Sequence, residues 1–575
     1  MSIFWGIYSP NPIADHFMGA MASRIRRMPE EPVFEMDTPH FKLMQLDIRA
    51  FGTSGVHRTH EICAALAGDP IREGAPPGNR YAGLEQLATD IENDSPEVAL
   101  NRCQGSHALC HYNQLHRQLL LATDKAGVRP LYYLFRENCL FFSTCLKSFT
   151  GLGLDLKRNT TALVEAWSFG VPLGRNTFYQ DIQVLADGEY LVWNDRDVAP
   201  RILSYHEWDK IPREADPQAP TGLYQRFSQA VKDRCPPSEG VVSFLSGGLD
   251  SRCIASALKE QGKRVTALNS YQPGEQDQAF AREFARHATI ELISLPRKVN
   301  TGITRDLLAN TIARARTHGG SDFPCKFIFS GDGGSVPMGH VYLEPSLVQK
   351  LESGDLAGAR VQFLEKRKIP ARILKHSPSK DLLTHSKKIL KRELEQLKTR
   401  DGLQAFFLFL LKNDQRRHLH GYYEDMDIIR TELALPFFDG RLLEKIVSLP
   451  RAPFLYHGLY HEWLKEFPKE TRDVPWQTYP GHMPCPIKEK GSPSQAQRST
   501  QWEKNQAPKN MGRRWAQIIS CGRRLTRPDF PKDLISRPRV LAFMVLHLTG
   551  IKDYSYIFSF CRHLHGLYRD HPVEN

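Results

Sequence analysis

The sequence predicts an α+β sandwich at its amino-terminal end, followed by an α/β domain built on a parallel sheet and carrying a helical lobe. Three observations predict it. From Met1 to about Tyr205 the chain runs in short, apolar, β-type stretches; from Leu223 helical periods and strand-like runs alternate; beyond Lys380 only helical periods remain.

In the first part, LYYLFRENCLFFS (131–143) reads as two strands around Arg136-Glu137-Asn138, and YLVWN follows the turn Ala186-Asp187-Gly188. DKIPREADPQAPTG (209–222) is polar, holds three prolines and lacks apolar periodicity, so it reads as a linker. After it LYQRFSQAVKDRC has a helical period, GVVSFL is a buried strand, and DSRCIASALKEQG is a helix stopped by Gly262. RVTALNS is the next strand and DQAFAREFARHA the next helix, an alternation that implies a parallel sheet wrapped in helices. LLTHSKKILKRELEQLKTR, LQAFFLFLLKNDQRRHLHGYY and RLLEKIVSL then form the all-α lobe. The polar run KEKGSPSQAQRSTQWEKNQAPKN (488–510) reads as a flexible connection to a last helical stretch around 537–569. The expected divisions are 1–208, a linker at 209–222, 223–490, and a basic extension at 491–575.

Of 575 residues, 41% are hydrophobic and 24% charged, with 40 Gly and 38 Pro, which excludes wholesale disorder, collagen and a coiled-coil rod. The apolar runs FFLFLL (406–411) and VLAFMVL (540–546) are too short to span a bilayer, and the first residues lack a basic region ahead of an apolar stretch. Eleven scattered cysteines, without a CxxC pair, suit reduced thiols, so a cytoplasmic location is expected. The net charge is +12, and 491–575 carries 14 Lys and Arg against 6 Asp and Glu, so basicity is local.

The sharpest chemical signal is the strand Gly240 to Leu245 entering Ser246-Gly247-Gly248-Leu249-Asp250-Ser251 and then a helix. The glycines remove β-carbons that would hold a phosphate away, so main-chain N–H groups can converge on an anion at a helix N-terminus. Ser246 and Ser251 offer hydroxyl donors and Asp250 a ligand for Mg²⁺. The spacing is not that of a Walker A loop, whose lysine is absent. A Gly-rich turn with no ligand is the bland reading.

The loop resembles the SGGxDS pyrophosphate loop of ATP pyrophosphatases. TDKAGVRPLYYLFRENCLFFSTCLKSF (123–149) and NTTALVEAWSFGVPLGRNTFYQDIQVLADGEYLVW (159–193) resemble the glutaminase domain of asparagine synthetases, and LALPFFDGRLLEKIVSLP (433–450) resembles their substrate-side segment. The likeness covers roughly residues 1 to 480. It implies an Ntn-hydrolase-like sandwich, then an ATP-pyrophosphatase domain binding ATP and Mg²⁺. Carried onto this chain, ATP and pyrophosphate contacts fall on Leu245, Ser246, Gly247, Gly248, Leu249, Asp250, Ser251, Asn269, Ser330, Gly331, Asp332 and Gly333, with Asp250 and Asp332 as catalytic residues and metal ligands.

The chain also departs from that pattern. Ser2 stands where the amidotransferases carry their nucleophilic cysteine, and a hydroxyl needs an adjacent base to attack. Ala67-Gly68-Asp69 replaces the glutamine-binding Asn-Gly-Glu, so a retained but inactive glutaminase domain is expected. The second loop, expected as SGEGADE, reads Ser330-Gly331-Asp332-Gly333-Gly334-Ser335, with Ser335 and Val336 where two acids would stand. The family's lysine near a GK-Y motif has no counterpart in His457-Gly458-Leu459-Tyr460-His461-Glu462; Tyr460, a histidine or Lys465 are the substitutes available, and Tyr460 reads first as a core aromatic. Asp277 reads first as a helix cap and second as a group in the ATP site. NDQRRHLHGYYEDMD (413–427) reads as a solvated helix face, with an acidic-substrate site as the rival. RPRVLAFMVLHLTGIKDYSYIFSFCRHLHGLYRD reads first as core packing and second as docking on a membrane surface or an acidic partner.

The implied activity is an asparagine-synthetase-like, ATP-dependent amide ligase that adenylates a small-molecule or peptide carboxylate, with ammonia or an amine as the nitrogen donor and no nucleic-acid partner. A peptide- or metabolite-cyclising synthetase, of the lasso-peptide macrocyclase or β-lactam synthetase type, and a non-catalytic scaffold are the alternatives.

Overall fold

The run IFWGIY at Ile3–Tyr8 is apolar throughout because its strand is buried on both faces. Phe4 and Tyr8 point into one cluster with Phe41, Cys63, Leu121 and Trp193. Ile3, Trp5 and Ile7 point into another, against Met18, Met21 and Ile25 of the helix His16–Ile25. In this computed structural model residues 2–26, 31, 33–271, 276–296, 311–317, 326–365, 371–375, 379–397, 399, 401–477, 511–532 and 534–570 are described. The connection 488–510, Cys325 and Cys485 lie outside them.

Two six-stranded antiparallel sheets face one another across the first cluster. One runs Gln183–Val184, Tyr132–Arg136, Cys139–Ser143, Ile3–Tyr8, Phe41–Leu46, Val33–Asp37; the other Arg201–Ser204, Glu189–Asn194, Gln118–Thr123, His107–Asn113, Ile62–Gly68, Val56–Arg58. The helices Arg80–Asn93 and Pro96–Asn101 cover the outer face of the second sheet, giving a layered α+β sandwich as expected. The hairpin read from LYYLFRENCLFFS turns at Glu137 (φ 52°) and Asn138 (φ 56°), two positive values that suit the twist of the flanking strands.

The second part holds a five-stranded, wholly parallel sheet ordered Glu291–Pro296, Arg264–Tyr271, Gly240–Phe244, Phe327–Phe329, Glu432–Ala434. The helix preceding it, Ala219–Asp233, starts inside the segment read as a linker, with Pro220 in its first turn, where a missing N–H costs nothing. Phe227 of this helix meets Trp463, their ring centroids 5.1 Å apart, and each such ring removed from water contributes about 1.5–3 kcal/mol. The helical lobe comprises Ser379–Glu395, Gly402–Phe409, Arg416–Ile429 and Gly440–Ser448.

The carboxyl-terminal region forms three helices, Met511–Leu525, Arg537–Leu548 and Ser555–Asp570, whose buried side chains cluster with Leu163 and Ile373. The first of them was not legible in the sequence, because its Arg-rich period resembles the polar run before it. Among the described residues no helix is long and apolar enough to cross a membrane.

Candidate active site

Gly240–Phe244 lies in the middle of the parallel sheet, and at its carboxyl end the chain turns through Leu245 to Leu249 into the helix Asp250–Glu260. Ligands of open α/β sheets sit at this edge. A cavity of about 450 Å³ opens there. The first loop lines it with Leu245, Ser246, Asp250 and Ser251, the neighbouring strand with Asn269, and the second loop with Ser330, Gly331, Asp332 and Gly333. Leu249 belongs instead to the hydrophobic core, and Gly247 packs against Asp277.

The two loops touch. A β-carbon on Gly331 would stand 2.6 Å from the Ser251 nitrogen, and one on Gly334 would stand 2.5 Å from Asp250 Cγ, so glycine alone permits the approach.

The loop amides expected to be open to an anion have acceptors within the protein. Ser246 N donates to Ser251 Oγ (2.9 Å), Gly247 N to Asp277 Oδ1 (2.8 Å) and Gly248 N to Ser246 Oγ (3.1 Å). Ser246 and Ser251 hydroxyls also pair with each other at 3.0 Å rather than standing as independent donors. Asp277 is therefore more than a helix cap: it ties the loop to Asn269, whose Nδ2 donates to its other oxygen at 3.0 Å, and it places an anionic oxygen on the Gly247 amide.

Asp250 is the centre of the site. Tyr460 donates to its Oδ1 at 2.7 Å and the Ser335 hydroxyl donates to its Oδ2. Burial pushes the Asp250 carboxyl up to about 6, partly opposed by the two hydroxyls and reinforced by the charge of Asp332. Asp332 itself accepts from Ser330 Oγ at 2.6 Å. Ser335, in the place of an acid, thus supplies a proton donor.

Tyr460 is fully buried, as a core aromatic would be, and its hydroxyl nonetheless reaches Asp250. Burial and the Asp250 charge push that hydroxyl well above its ordinary value, so it stays protonated and donates. Lys465 is no substitute for the missing lysine: it pairs with Glu462 on the surface at 2.6 Å.

The far wall of the cavity corrects the reading of residues 413–427. Arg416 and Arg417 are 1% and 7% exposed and bond the carbonyls of Gly174, Pro172 and Asn176 in the first part of the chain. They are neither solvated nor turned to a substrate. A π-helical turn at Leu410–Gln415 shifts the helix register, and Asp414, Gln415, His418 and Tyr422 line the cavity instead. No signal in the sequence marks such a turn.

Ser2 lies far from this chemistry in character. It is fully buried; its Oγ donates to Asp47 Oδ1 at 3.0 Å and accepts from Arg80 Nη1 at 2.9 Å, with Arg80 ion-paired to Asp47. Burial raises the Asp47 carboxyl, and Arg80 with hydrogen bonds from Arg49, Ser2 and Gly55 outweighs this and holds it below the usual carboxylate range. The Ser2 nitrogen faces Glu432 Oε2 at 3.4 Å, and Arg129 bridges Glu432 (3.1 Å) and the Ser2 carbonyl (2.5 Å). Asp69, in the altered glutamine motif, is raised by burial and accepts from Ile71 N.

A family model described as glutamine amidotransferase domain matches residues 90–206, and one described as asparagine synthase matches residues 222–318. In these two stretches the chain is similar to asparagine synthetases. Among curated proteins, Amidase chry2 of Gibberella zeae is 26% identical over 176 residues, 30% of this chain and 26% of that protein. Asparagine synthetase [glutamine-hydrolyzing] 1 of Bacillus subtilis is 26% identical over 207 residues, 34% of this chain and 32% of its own length. The chain thus spans about a quarter to a third of these relatives. Among solved structures, a B. subtilis glutamine phosphoribosylpyrophosphate amidotransferase aligns with a TM-score of 0.25 and 11% identity, covering 59% of this chain and 77% of that one.

Proposed function

We propose that this chain is a member of the asparagine synthetase family and an ATP-dependent amide-forming ligase that activates a carboxylate as its acyl-adenylate. The observation that carries the reading is the pair of loops, 245–251 and 330–335, meeting over one cavity with Asp250 and Asp332 in its wall. The substrate carboxylate attacks the α-phosphorus of ATP, the bond to the β-phosphate oxygen breaks, and pyrophosphate leaves. An amine then attacks the acyl carbon, loses a proton, and AMP departs.

Positioning and charge neutralisation accomplish most of such a transfer. Asp250, raised mainly by burial and further by the charge of Asp332, and Asp332 are hard oxygen donors, a set that fits Mg²⁺ bound through one or two carboxylates plus phosphate oxygens. Among the described residues no cluster of three or more metal-binding side chains occurs, so substrate oxygens would complete the shell. Mg²⁺, when bound, neutralises charge on the leaving pyrophosphate. On the protein side, Tyr460 and Ser335 fix the orientation of Asp250, and Asp277 holds the loop conformation that the phosphates would enter.

ATP–pyrophosphate exchange across a panel of carboxylates tests the reading; silence with every carboxylate, in wild type as in Asp250→Ala, would leave a scaffold as the explanation. A pH dependence follows. Because the folded protein raises Asp250 to about 6, its ionised fraction grows as pH rises through that value. The Mg²⁺ concentration for half-maximal exchange is expected to climb by up to about tenfold per pH unit below this point and to level off above it.

The sealing of Ser2 favours a nitrogen donor other than glutamine, and with it the second reading, an amine carried by the substrate and an intramolecular amide. Incubation with glutamine is expected to release no glutamate, and Ser2→Ala to change nothing; turnover abolished by that substitution would show that the buried hydroxyl becomes accessible.

A further inference from the structure

The three carboxyl-terminal helices bury one set of faces, and the first two leave apolar side chains on the other. On Met511–Leu525, Met511, Trp515 and Ile519 recur every four residues and are 54%, 50% and 49% exposed, and exposed Arg523 continues the same stripe. On Arg537–Leu548 the outward positions Leu541, Val545 and Leu546 are 52%, 64% and 45% exposed, while Val540 and Met544 face the core. Ile551, on the turn that follows, is 88% exposed. A helix apolar on every side belongs inside a protein or against lipid, and an exposed patch of this kind marks an interaction surface.

Charge decides what covers it. Residues 511–570 carry 11 Lys and Arg against 4 Asp and no Glu. Exposed Arg527 and Lys532 lie between the two apolar stripes in sequence and Lys552 adjoins Ile551, while Arg539, at the start of the second, donates to the Leu374 carbonyl at 2.8 Å. Two copies of so cationic a face would repel each other, whereas an anionic surface attracts it. Apolar side chains with tryptophan, flanked by long cations whose stems extend along apolar surface, form the pattern of segments that lie in a membrane interface.

We infer that this helical unit seats the protein on an anionic lipid surface, with Trp515, Ile519, Leu541, Val545 and Ile551 entering the headgroup region and the flanking cations meeting lipid phosphates and carboxylates. No helix of the unit is long enough to cross, so the protein lies on the bilayer. The inference is independent of the ligase reading, since none of these residues lines the cavity.

Co-sedimentation of the full chain with phosphatidylcholine vesicles, with and without phosphatidylserine, tests it. Binding is expected with the anionic vesicles, to be released by salt, and to weaken about tenfold or more in Leu541→Asp/Val545→Asp, since each apolar side chain withdrawn from the interface forfeits more than a tenfold affinity step. Arg523→Glu/Arg527→Glu, at exposed positions outside the apolar cluster, is expected to weaken anionic binding to a similar degree while far-ultraviolet dichroism stays that of wild type. Absence of sedimentation with either vesicle would overturn the inference, as would binding untouched by both variants. A dimer in light scattering that Val545→Asp dissociates would assign the face to a second copy, and salt-sensitive retention on RNA without vesicle binding would assign it to nucleic acid; either overturns it.

Discussion

Asp250→Ala is expected to lower ATP–pyrophosphate exchange by at least about 10²-fold, the scale seen when a single charge-stabilising group is removed from a transfer site. The substitution also strands two hydroxyls, those of Tyr460 and Ser335, that now donate to the carboxylate. It should nonetheless leave a folded protein. Burial disfavours the ionised carboxylate, so the stability this group contributes is present below the ordinary carboxylate range and lost as pH rises through about 6. At alkaline pH, then, the thermal midpoint of Asp250→Ala should match or exceed that of wild type, and a collapse of the midpoint together with activity would assign Asp250 a structural role. Tyr460→Phe separates positioning from chemistry. It keeps the ring against Trp463, with centroids 5.1 Å apart, and deletes one donor to Asp250. Because that donor lowers the carboxyl, the acid limb of the exchange profile should move to higher pH; an unmoved limb with lower activity would point to the phenol itself.

Glu432→Ala is expected to cost about 3–5 kcal/mol in urea denaturation, because it removes the carboxylate that neutralises the buried Arg129 charge. Both side chains are 1% exposed, and the pair joins the last strand of the parallel sheet to the loop preceding the strand Tyr132–Arg136. The Arg129 guanidinium also stacks 4.4 Å from the Tyr423 ring centroid, which packing alone does not replace. Arg129→Met/Glu432→Leu removes both charges and should recover most of the loss, since replacing a buried pair with apolar groups is often neutral. A double variant as unstable as the single one would show that shape, rather than uncompensated charge, sets the cost.

Much of this was legible in the residues. The strand-to-helix passage through Ser246 to Ser251 follows from apolar strand, glycines and helical period in succession, and Glu137-Asn138 declares its hairpin through turn chemistry. What escaped depends on contacts remote in sequence. Tyr460 lies 210 residues from Asp250, and its apolar neighbours Leu459, Trp463 and Leu464 gave it the pattern of a core ring, which it also is. Asp277 occupies a first helical turn, where an acid is expected for local reasons that conceal its bond to Gly247. Arg416 and Arg417 looked solvated because charge on a helix usually is, and only the carbonyls of the first half explain their burial.

The π-helical turn at Leu410–Gln415 has a consequence for how this molecule can change. Asn413, on that turn, accepts from the Gly174 amide at 2.8 Å and Lys412 pairs with Asp187 at 3.2 Å, both in the sandwich, while Asp414 and Gln415 beside them face the cavity. One stretch of backbone therefore carries the docking of the two halves and the shape of the pocket together. A lineage that refits the pocket must keep the sandwich in place as its brace, which is a physical ground for retaining a half whose second residue is a buried serine.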